Sequence, residues 1–167
     1  MSGIARILTR SGALSGVLLI LLGAWGALIP FIGPYFHYAY TPDTAWHFTL
    51  ARLWLEVLPG VAAALGGVLV IMSTRRMAAG GGLALAALAG AWFAVGTAVN
   101  SLWPHLGTPG VPAGPASRVG LEEIGFFTGL GIAIVFVAAL TLGRLFASAF
   151  QPGPVAVAAT GSLPVEQ

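Results

Sequence analysis

The residues of this chain that could do chemistry gather in and beside two loops that separate long apolar runs. They include all three histidines and four of the five acids. The set is His37, Asp43, His47, Glu56, His105, Glu122 and Glu123. Imidazole and carboxylate groups can ligate zinc or copper, and charged groups beside apolar runs can hold an organic ligand. The sequence therefore raises two kinds of site.

A metal site would use His37, His47 or His105 together with a carboxylate. No HxxxH or HExxH motif places two ligands on one helical turn, so the spacing favours no particular set. Asp43 and His47 are four residues apart and would share one face of a helix. His47 and Glu56 are nine residues apart, about 900° around a helix, and would face opposite ways. The predicted ligands are therefore Asp43 and His47 with His37 or His105.

A ligand site would be built around Arg52, Glu56 and Glu122. Charge near hydrocarbon is costly, so each of these residues needs a reason to be there. Arg52 precedes Glu56 by one helical turn, which is the less favourable order for an ion pair, so Glu56 could have another partner. One interpretation is structural, with Arg52 joining Glu56 or Glu122 in a salt bridge between helices. The other is a binding site whose aromatic walls are Tyr35, Tyr38, Trp46 and Trp54.

The composition predicts which solvent surrounds the elements that position these residues. Hydrophobic residues make up 57% of the 167 residues and charged residues 7%, and the mean hydropathy is +0.93. Soluble domains have about a quarter of their residues charged. The predicted partner is therefore the lipid bilayer. Nucleic acid is excluded because the net charge is only +2 and the seven arginines are scattered. The absence of cysteine excludes disulfides, thiol chemistry and Cys-bound metals.

Four apolar runs predict an all-α, four-transmembrane-helix bundle, with spans at about 11–33, 53–73, 81–102 and 121–146. The first run reaches roughly 34 Å as a helix, enough for a hydrocarbon core of about 30 Å. We expect it to be retained, with cleavage after Gly26 as the alternative. Residues 1–150 form the predicted transmembrane domain. Residues 151–167 are predicted to be a disordered cytoplasmic tail, because its apolar stretch is too short to span a membrane.

The second helix is predicted to begin above the membrane. Residues 41–43, Thr-Pro-Asp, have the types preferred at an N-cap, a first helical position and a first turn. The helix would then run from Pro42 to about Ser73. Pro59 should bend it and leave the carbonyl of Leu55 without a helical donor. Ser117 is the predicted N-cap of the fourth helix.

The arginines predict the orientation. Five of the seven would lie on one side of the membrane, and the positive-inside rule puts that side in the cytoplasm. They are Arg6, Arg10, Arg75, Arg76 and Arg144, whereas Arg52 and Arg118 lie on the other side. The fold is therefore predicted to be N-in/C-in, with an aromatic first outer loop, residues 34–51, and a second outer loop, residues 104–116. The preference for Ala, Gly and Arg over Lys is typical of a GC-rich bacterial genome, so we expect a multi-pass protein of the bacterial cell membrane.

Small residues at four-residue spacing indicate where helices approach closely. They lie at Gly12 and Gly16; Ala62, Ala63, Gly66 and Gly67; Ala86, Gly90, Ala94 and Ala98; and Gly125, Gly129 and Ala133. The third group, the helix 3 stripe, is the longest. Its contact could be internal or with a partner.

Two stretches carry a resemblance. GAWGALIPFIGPYFHYAY, Gly23 to Tyr40, followed by RLWLEVLPG, Arg52 to Gly60, resembles small uncharacterised four-helix membrane proteins of actinobacterial type. The resemblance covers most of the chain except the tail. It implies the four-helix topology and no activity, and it names no cofactor.

Two functions follow from these features. The first is a non-catalytic subunit or interaction partner of a membrane complex, or a homo-oligomer, in contact through its outer aromatic face or the helix 3 stripe. The alternative is a site for a metal or a small amphipathic ligand at the outer face, between helices 2 and 4 and the first loop. An enzyme is a third option, and no catalytic motif favours it.

Overall fold

The structure is a computed structural model. It describes the backbone of residues 3–102, 107 and 109–147, and the side chains of the same residues from Gly12 onward. The predicted tail, residues 151–167, and His105 lie outside the described residues.

Four long helices make up most of the described chain, as the composition predicts. They are α1 (Gly3–Ile32), α2 (Leu50–Met72), α3 (Arg76–Leu102) and α4 (Ala116–Ala147). A 3₁₀ turn, Gly33–Phe36, follows α1, and α4 is interrupted at Phe127. Each helix is long and apolar enough to cross a membrane, so by helix length and hydropathy this is a multi-pass membrane protein.

The helices form a ring in which each packs against its neighbours in the chain, and α1 closes the ring against α4. Phe93, Leu19 and Ile134 are buried at its centre. Residues 37–49, 107 and 109–115 lie at one end of the ring, which we call the loop end. The opposite end carries the exposed residues Arg75 and Arg76, and we call it the arginine end.

Glycines hold the middle of the ring together. A Cβ atom added to Gly23 of α1 would lie 2.5 Å from the Gly60 carbonyl oxygen of α2, and one on Gly66 would lie 2.5 Å from the Gly82 carbonyl oxygen of α3. Close approach of this kind lets backbones pack where lipid provides no hydrophobic drive. Gly12 differs, because an added Cβ would meet nothing within 4 Å.

The helix 3 stripe makes internal contacts over most of its length. Ala86 packs against Gly66, and Gly90 and Ala94 pack against Gly131 of α4. Ala98 is exposed. The glycine of α4 in this contact is Gly131, which the four-residue spacing had not selected.

The second helix begins later than predicted. Residues 41–49 form turns and bends, and α2 starts at Leu50, with the Thr49 hydroxyl accepting a hydrogen bond from the Arg52 amide at 3.2 Å. The prediction of a start near Pro42 is wrong because Thr41 bonds to the second loop instead of capping a helix. Its amide donates to the Val111 carbonyl at 2.9 Å, and its hydroxyl accepts from the Val111 amide at 3.1 Å.

Pro59 acts through a π-helical turn, Leu53–Val57, which precedes it. In a π turn each carbonyl is bonded from five residues ahead, so the missing N–H of Pro59 leaves the carbonyl of Trp54 without a helical donor. The indole Nε1 of Trp92 on α3 donates to that Trp54 carbonyl at 2.9 Å. A neighbouring helix therefore satisfies the freed group, and the expected orphan at Leu55 stays a prediction.

Helix α4 contains a second irregular turn. It starts at Ala116 after Pro115, with no side-chain cap, so Ser117 is not the N-cap. The backbone leaves helical geometry at Phe127, and the indole of Trp25 on α1 donates to the nearby Gly125 carbonyl at 3.1 Å. Both irregular turns thus lie near the loop end and are supported by a tryptophan of another helix.

Candidate functional site at the loop end

Arg52 ties the first loop to the helices. Its side chain is 1% exposed. Its Nη1 donates to the carbonyls of Pro30 at 3.0 Å and His47 at 2.9 Å, and its Nη2 donates to that of Tyr40 at 3.2 Å. These carbonyls lie at the end of α1 and within the loop, where the backbone has few helical partners. Arg52 therefore binds backbone carbonyls and does not form the predicted salt bridge with Glu56 or Glu122.

Glu56 is buried inside the π turn. It is 1% exposed, and neither carboxylate oxygen has a hydrogen-bond partner among the residues described. The charge of Arg52 acts on it through space without a hydrogen bond. Buried polar groups are nearly always bonded, so an unpaired carboxyl is a feature that needs an explanation. Irregular π turns are frequent at functional sites.

Glu122, on the first part of α4, is fully buried beneath the second loop. The amide of Gly114 donates to its Oε2 at 3.3 Å, whereas Oε1 has no partner within the described ranges. A Cβ added to Gly114 would lie 2.6 Å from Oε1. A side chain at this position would therefore displace the Glu122 carboxyl group, because the loop backbone lies directly against it.

Asn100, near the end of α3, is the third buried group with an unpaired atom. It is 7% exposed, and its Nδ2 donates to the Gly107 carbonyl at 2.8 Å. Its Oδ1 has no hydrogen-bond partner in the part of the chain that the structure describes. One half of the amide thus holds the second loop, and the other half is left as a free acceptor.

An aromatic cluster lies among these groups. Tyr40 contacts Phe126 and Phe127 at ring-centroid distances of 4.8 and 5.5 Å, and Tyr38 stacks on Phe126 at 5.4 Å. The Tyr38 hydroxyl donates to the Leu121 carbonyl at 2.7 Å.

The phenols of Tyr38 and Tyr40 in the aromatic cluster stay protonated. Burial raises the pKa of Tyr40 far above its ordinary value, and nearby carboxylates, that of Glu123 first, raise it further. Burial and the charge of Glu122 likewise raise the pKa of Tyr38. A negative charge on either ring would be both desolvated and repelled, so each phenol remains a neutral hydrogen-bonding group.

A cavity of about 620 Å³ opens beside this cluster, within the size range of small-molecule sites. Its walls come from the end of α3, the start of α4, the second loop and the first loop. The described lining residues are Tyr40, Thr41, Thr97, Asn100, Ser101, Gly107, Pro109, Gly110, Val111, Pro112, Val119, Glu123, Phe127 and Thr128. Gly110 has a φ of +98°, which would strain any residue other than glycine, and a Cβ added there would clash with the Thr41 carbonyl oxygen.

A second groove of about 460 Å³ runs along the outside of α1 and α4. Its walls are mostly apolar and include Trp25, Ile29 and Leu121, and its polar lining groups are His37, Tyr38 and Arg118.

The predicted ligand-site residues separate into two groups. Arg52, Glu56 and Glu122 are all buried at the loop end, and Tyr38 joins them through the aromatic cluster. Tyr35, Trp46 and Trp54 are exposed on the outside, Trp46 stacking on Phe31 at 5.8 Å, and do not line the cavity.

The predicted metal ligands that are described lie apart from any cluster. His37, Asp43 and His47 are exposed, and Asp43 and His47 do not share a helix, because α2 begins after them. Among the residues searched, no group of three His, Asp or Glu side chains could hold a metal ion. The site with His105 stays a prediction, since His105 is outside the described residues.

Sequence reasoning missed the role of the second loop and of Asn100. This loop contacts Glu122 through the backbone amide of Gly114 and Asn100 through the backbone carbonyl of Gly107. An available signal was Asn100 itself, a polar amide at the end of an apolar run, where an unpaired group is costly.

No family model, curated protein or solved structure matches this chain. Four long apolar helices are consistent with a small four-helix membrane protein, and the resemblance to the actinobacterial group stays a prediction.

Proposed function

We propose that this protein is a binding protein of the bacterial cell membrane, and that the cavity at its loop end takes up a small organic ligand. The observation that carries the proposal is the coincidence of a cavity of about 620 Å³ with Asn100, a lining residue whose buried Oδ1 has no partner among the described residues. An unpaired buried acceptor costs about 1–3 kcal/mol, which a ligand that donates a hydrogen bond would recover.

The position of the cavity differs from the one that the sequence favours. It lies between α3, α4 and the second loop, whereas α2 contributes the groups behind it, Arg52 and Glu56. Tyr40 links the two, because it lines the cavity and its carbonyl accepts a hydrogen bond from the Arg52 guanidinium at 3.2 Å. Arg52, Glu56 and Glu122 then shape the back of the site, and Tyr38 supports its aromatic wall.

We propose further that the loop end faces outward, with both termini in the cytoplasm. The exposed Arg75, Arg76 and Arg144 support this orientation through the positive-inside rule. Single cysteines test it cleanly, because the chain has no cysteine of its own. Ser117→Cys should react with an impermeant maleimide on intact cells and Thr74→Cys should not. The reverse pattern would overturn the orientation.

Native mass spectrometry of protein purified in mild detergent from its own membranes tests the binding function. We expect an additional mass on the wild-type protein that Thr97→Phe, which fills the cavity, removes. Ala91→Phe is the matched control, since it adds the same ring to an exposed position on the same helix. A wild-type protein without any bound molecule would count against the proposal.

A second candidate, the non-catalytic subunit, is favoured by exposed aromatic side chains in the first loop. Trp46 is 65% and Phe48 60% exposed, and exposed apolar groups outside the hydrocarbon are typical of interaction surfaces. Since most of the helix 3 stripe is buried within the bundle, a partner or second copy would use this aromatic face. Co-purification of a membrane protein, lost in Phe48→Ser, would support it. A solitary monodisperse species at native expression would contradict it.

A further inference from the structure

We infer that the ligand of the loop-end cavity is a small organic amine in its protonated form. The inference rests on the proposed function, because it assigns a ligand class to the same cavity. It is carried by the chemistry of the unpaired groups and by the charge of the cavity wall.

The buried side-chain atoms that lack a partner in the described ranges are four oxygens: both of the Glu56 carboxyl group, Oδ1 of Asn100 and Oε1 of Glu122. Of these three residues, Asn100 alone is among those that line the cavity. A ligand that complements its amide oxygen brings a donor, and an ammonium group offers up to three.

The polar groups of the cavity wall also favour a ligand that donates hydrogen bonds. Asn100 lines the cavity, and its Oδ1 is buried without a partner among the described residues. The Ser101 hydroxyl donates to the Ala98 carbonyl at 2.6 Å, which leaves the lone pairs of its oxygen to accept. Glu123 is the one charged side chain among the described lining residues. Hydrogen bonds that join two charged groups are about twice as strong as neutral ones, so Glu123 favours a cation.

No arginine that the structure describes at this end opposes a bound cation. The Arg52 guanidinium is buried and bonded to three carbonyl oxygens, and neither Arg52 nor Arg118 lines the cavity. Tyr40 and Phe127 complete the wall with aromatic rings, whose faces attract cations. The volume of about 620 Å³ is that of an organic molecule rather than of a bare metal ion.

Equilibrium binding to the full-length protein in nanodiscs tests this assignment with three probes of one shape: butylammonium, 1-butanol and butyrate. Empty nanodiscs correct for partition into lipid. Butylammonium should bind at least about tenfold more tightly than the alcohol, since one charge-assisted hydrogen bond supplies that factor. If 1-butanol or butyrate binds as tightly as butylammonium, the assignment of an amine is wrong but the proposed binding function is retained. If no probe binds, both the amine assignment and the proposed binding function are contradicted.

Glu123→Gln should weaken the binding of butylammonium about tenfold and leave the binding of 1-butanol unchanged, because it removes the charge of the side chain and keeps its shape. Asp43→Asn is the matched control, since it removes an equal charge from an exposed position at the same end outside the cavity. Equal weakening by both variants would show general surface attraction and overturn the site. Asn100→Leu should also weaken butylammonium, provided that the variant keeps the thermal stability of the wild type.

Discussion

The middle of this bundle and its loop end follow opposite rules. In the middle, glycines let backbones touch, and an added Cβ on Gly23, Gly66 or Gly90 would strike a neighbouring helix. At the loop end, the helices are irregular, and buried carboxyl and amide oxygens lack partners among the residues that the structure describes. The middle is optimised for packing, whereas the loop end retains costly features that packing alone does not explain. Departures of this kind, where local rules are broken, are typical of functional sites.

The largest expected effect is in the middle. Gly23→Leu should destabilise the bundle by about 3 kcal/mol or more, at the upper end for overpacking, because the clashing atoms belong to the Gly60 and Ala64 backbone. Denaturant titration in detergent measures it. Gly81→Ala is the control, since an added Cβ there meets nothing within 4 Å. Equal effects of the two variants would show that the glycine contacts do not hold the ring together.

Arg52→Met should have the next largest effect, and it should be local to the loop end. It removes donors from three carbonyls, at a cost of about 2–4 kcal/mol for a buried charged donor. Amide hydrogen exchange should rise in residues 37–49 and stay unchanged in α3. Arg118→Met, an exposed arginine at the same end, should leave exchange unaltered. If residues 37–49 of Arg52→Met were as protected from amide hydrogen exchange as those of the wild type, the proposed role of Arg52 would be contradicted.

Trp92→Phe should cost about 1 kcal/mol, because the Trp54 carbonyl loses its donor next to Pro59. Trp54→Phe keeps that carbonyl and should cost less. A thermal melt in the same detergent compares them. If the Trp54 variant were the more damaging, the indole bond would not be what stabilises the π turn.

Glu56→Gln should have the smallest effect, within about 1 kcal/mol of the wild type, because the carboxyl group has no hydrogen-bond partner to lose. A buried Glu56 held by an ion pair with Arg52 would behave differently. Breaking such a pair costs about 3–5 kcal/mol. A loss of that size in the denaturant titration would therefore restore the salt-bridge interpretation.

The sequence predicts the bundle well because a chain so apolar, with runs of this length, can only be satisfied by membrane-spanning helices. It also singles out Arg52, Glu56 and Glu122 as buried charges, since charge beside apolar runs stands out. It fails where the chain leaves regular geometry. The preference of residues 41–43 for a helix start is overridden by the hydrogen bonds of Thr41 to Val111, which lies 70 residues away.

The cavity was beyond sequence reasoning for a related reason. Its wall depends on which carbonyls and amides meet between the two loops, as in the contact of Asn100 with Gly107. No local spacing records such a contact. The freed carbonyl of Trp54 was missed because a π turn cannot be predicted from the proline alone.

Single-cysteine modification tests the central claim most directly. Thr97→Cys should react on intact cells with a cationic methanethiosulfonate. The ratio of its reaction rate with the cationic reagent to its rate with an anionic one should exceed the same ratio for Ser117→Cys, an exposed position at the loop end. Ala91→Cys, which lies in the middle of the same helix, should not react. A Thr97→Cys variant as inert as Ala91→Cys, or one that prefers the anionic reagent, would contradict a water-filled, cation-selective cavity at the loop end.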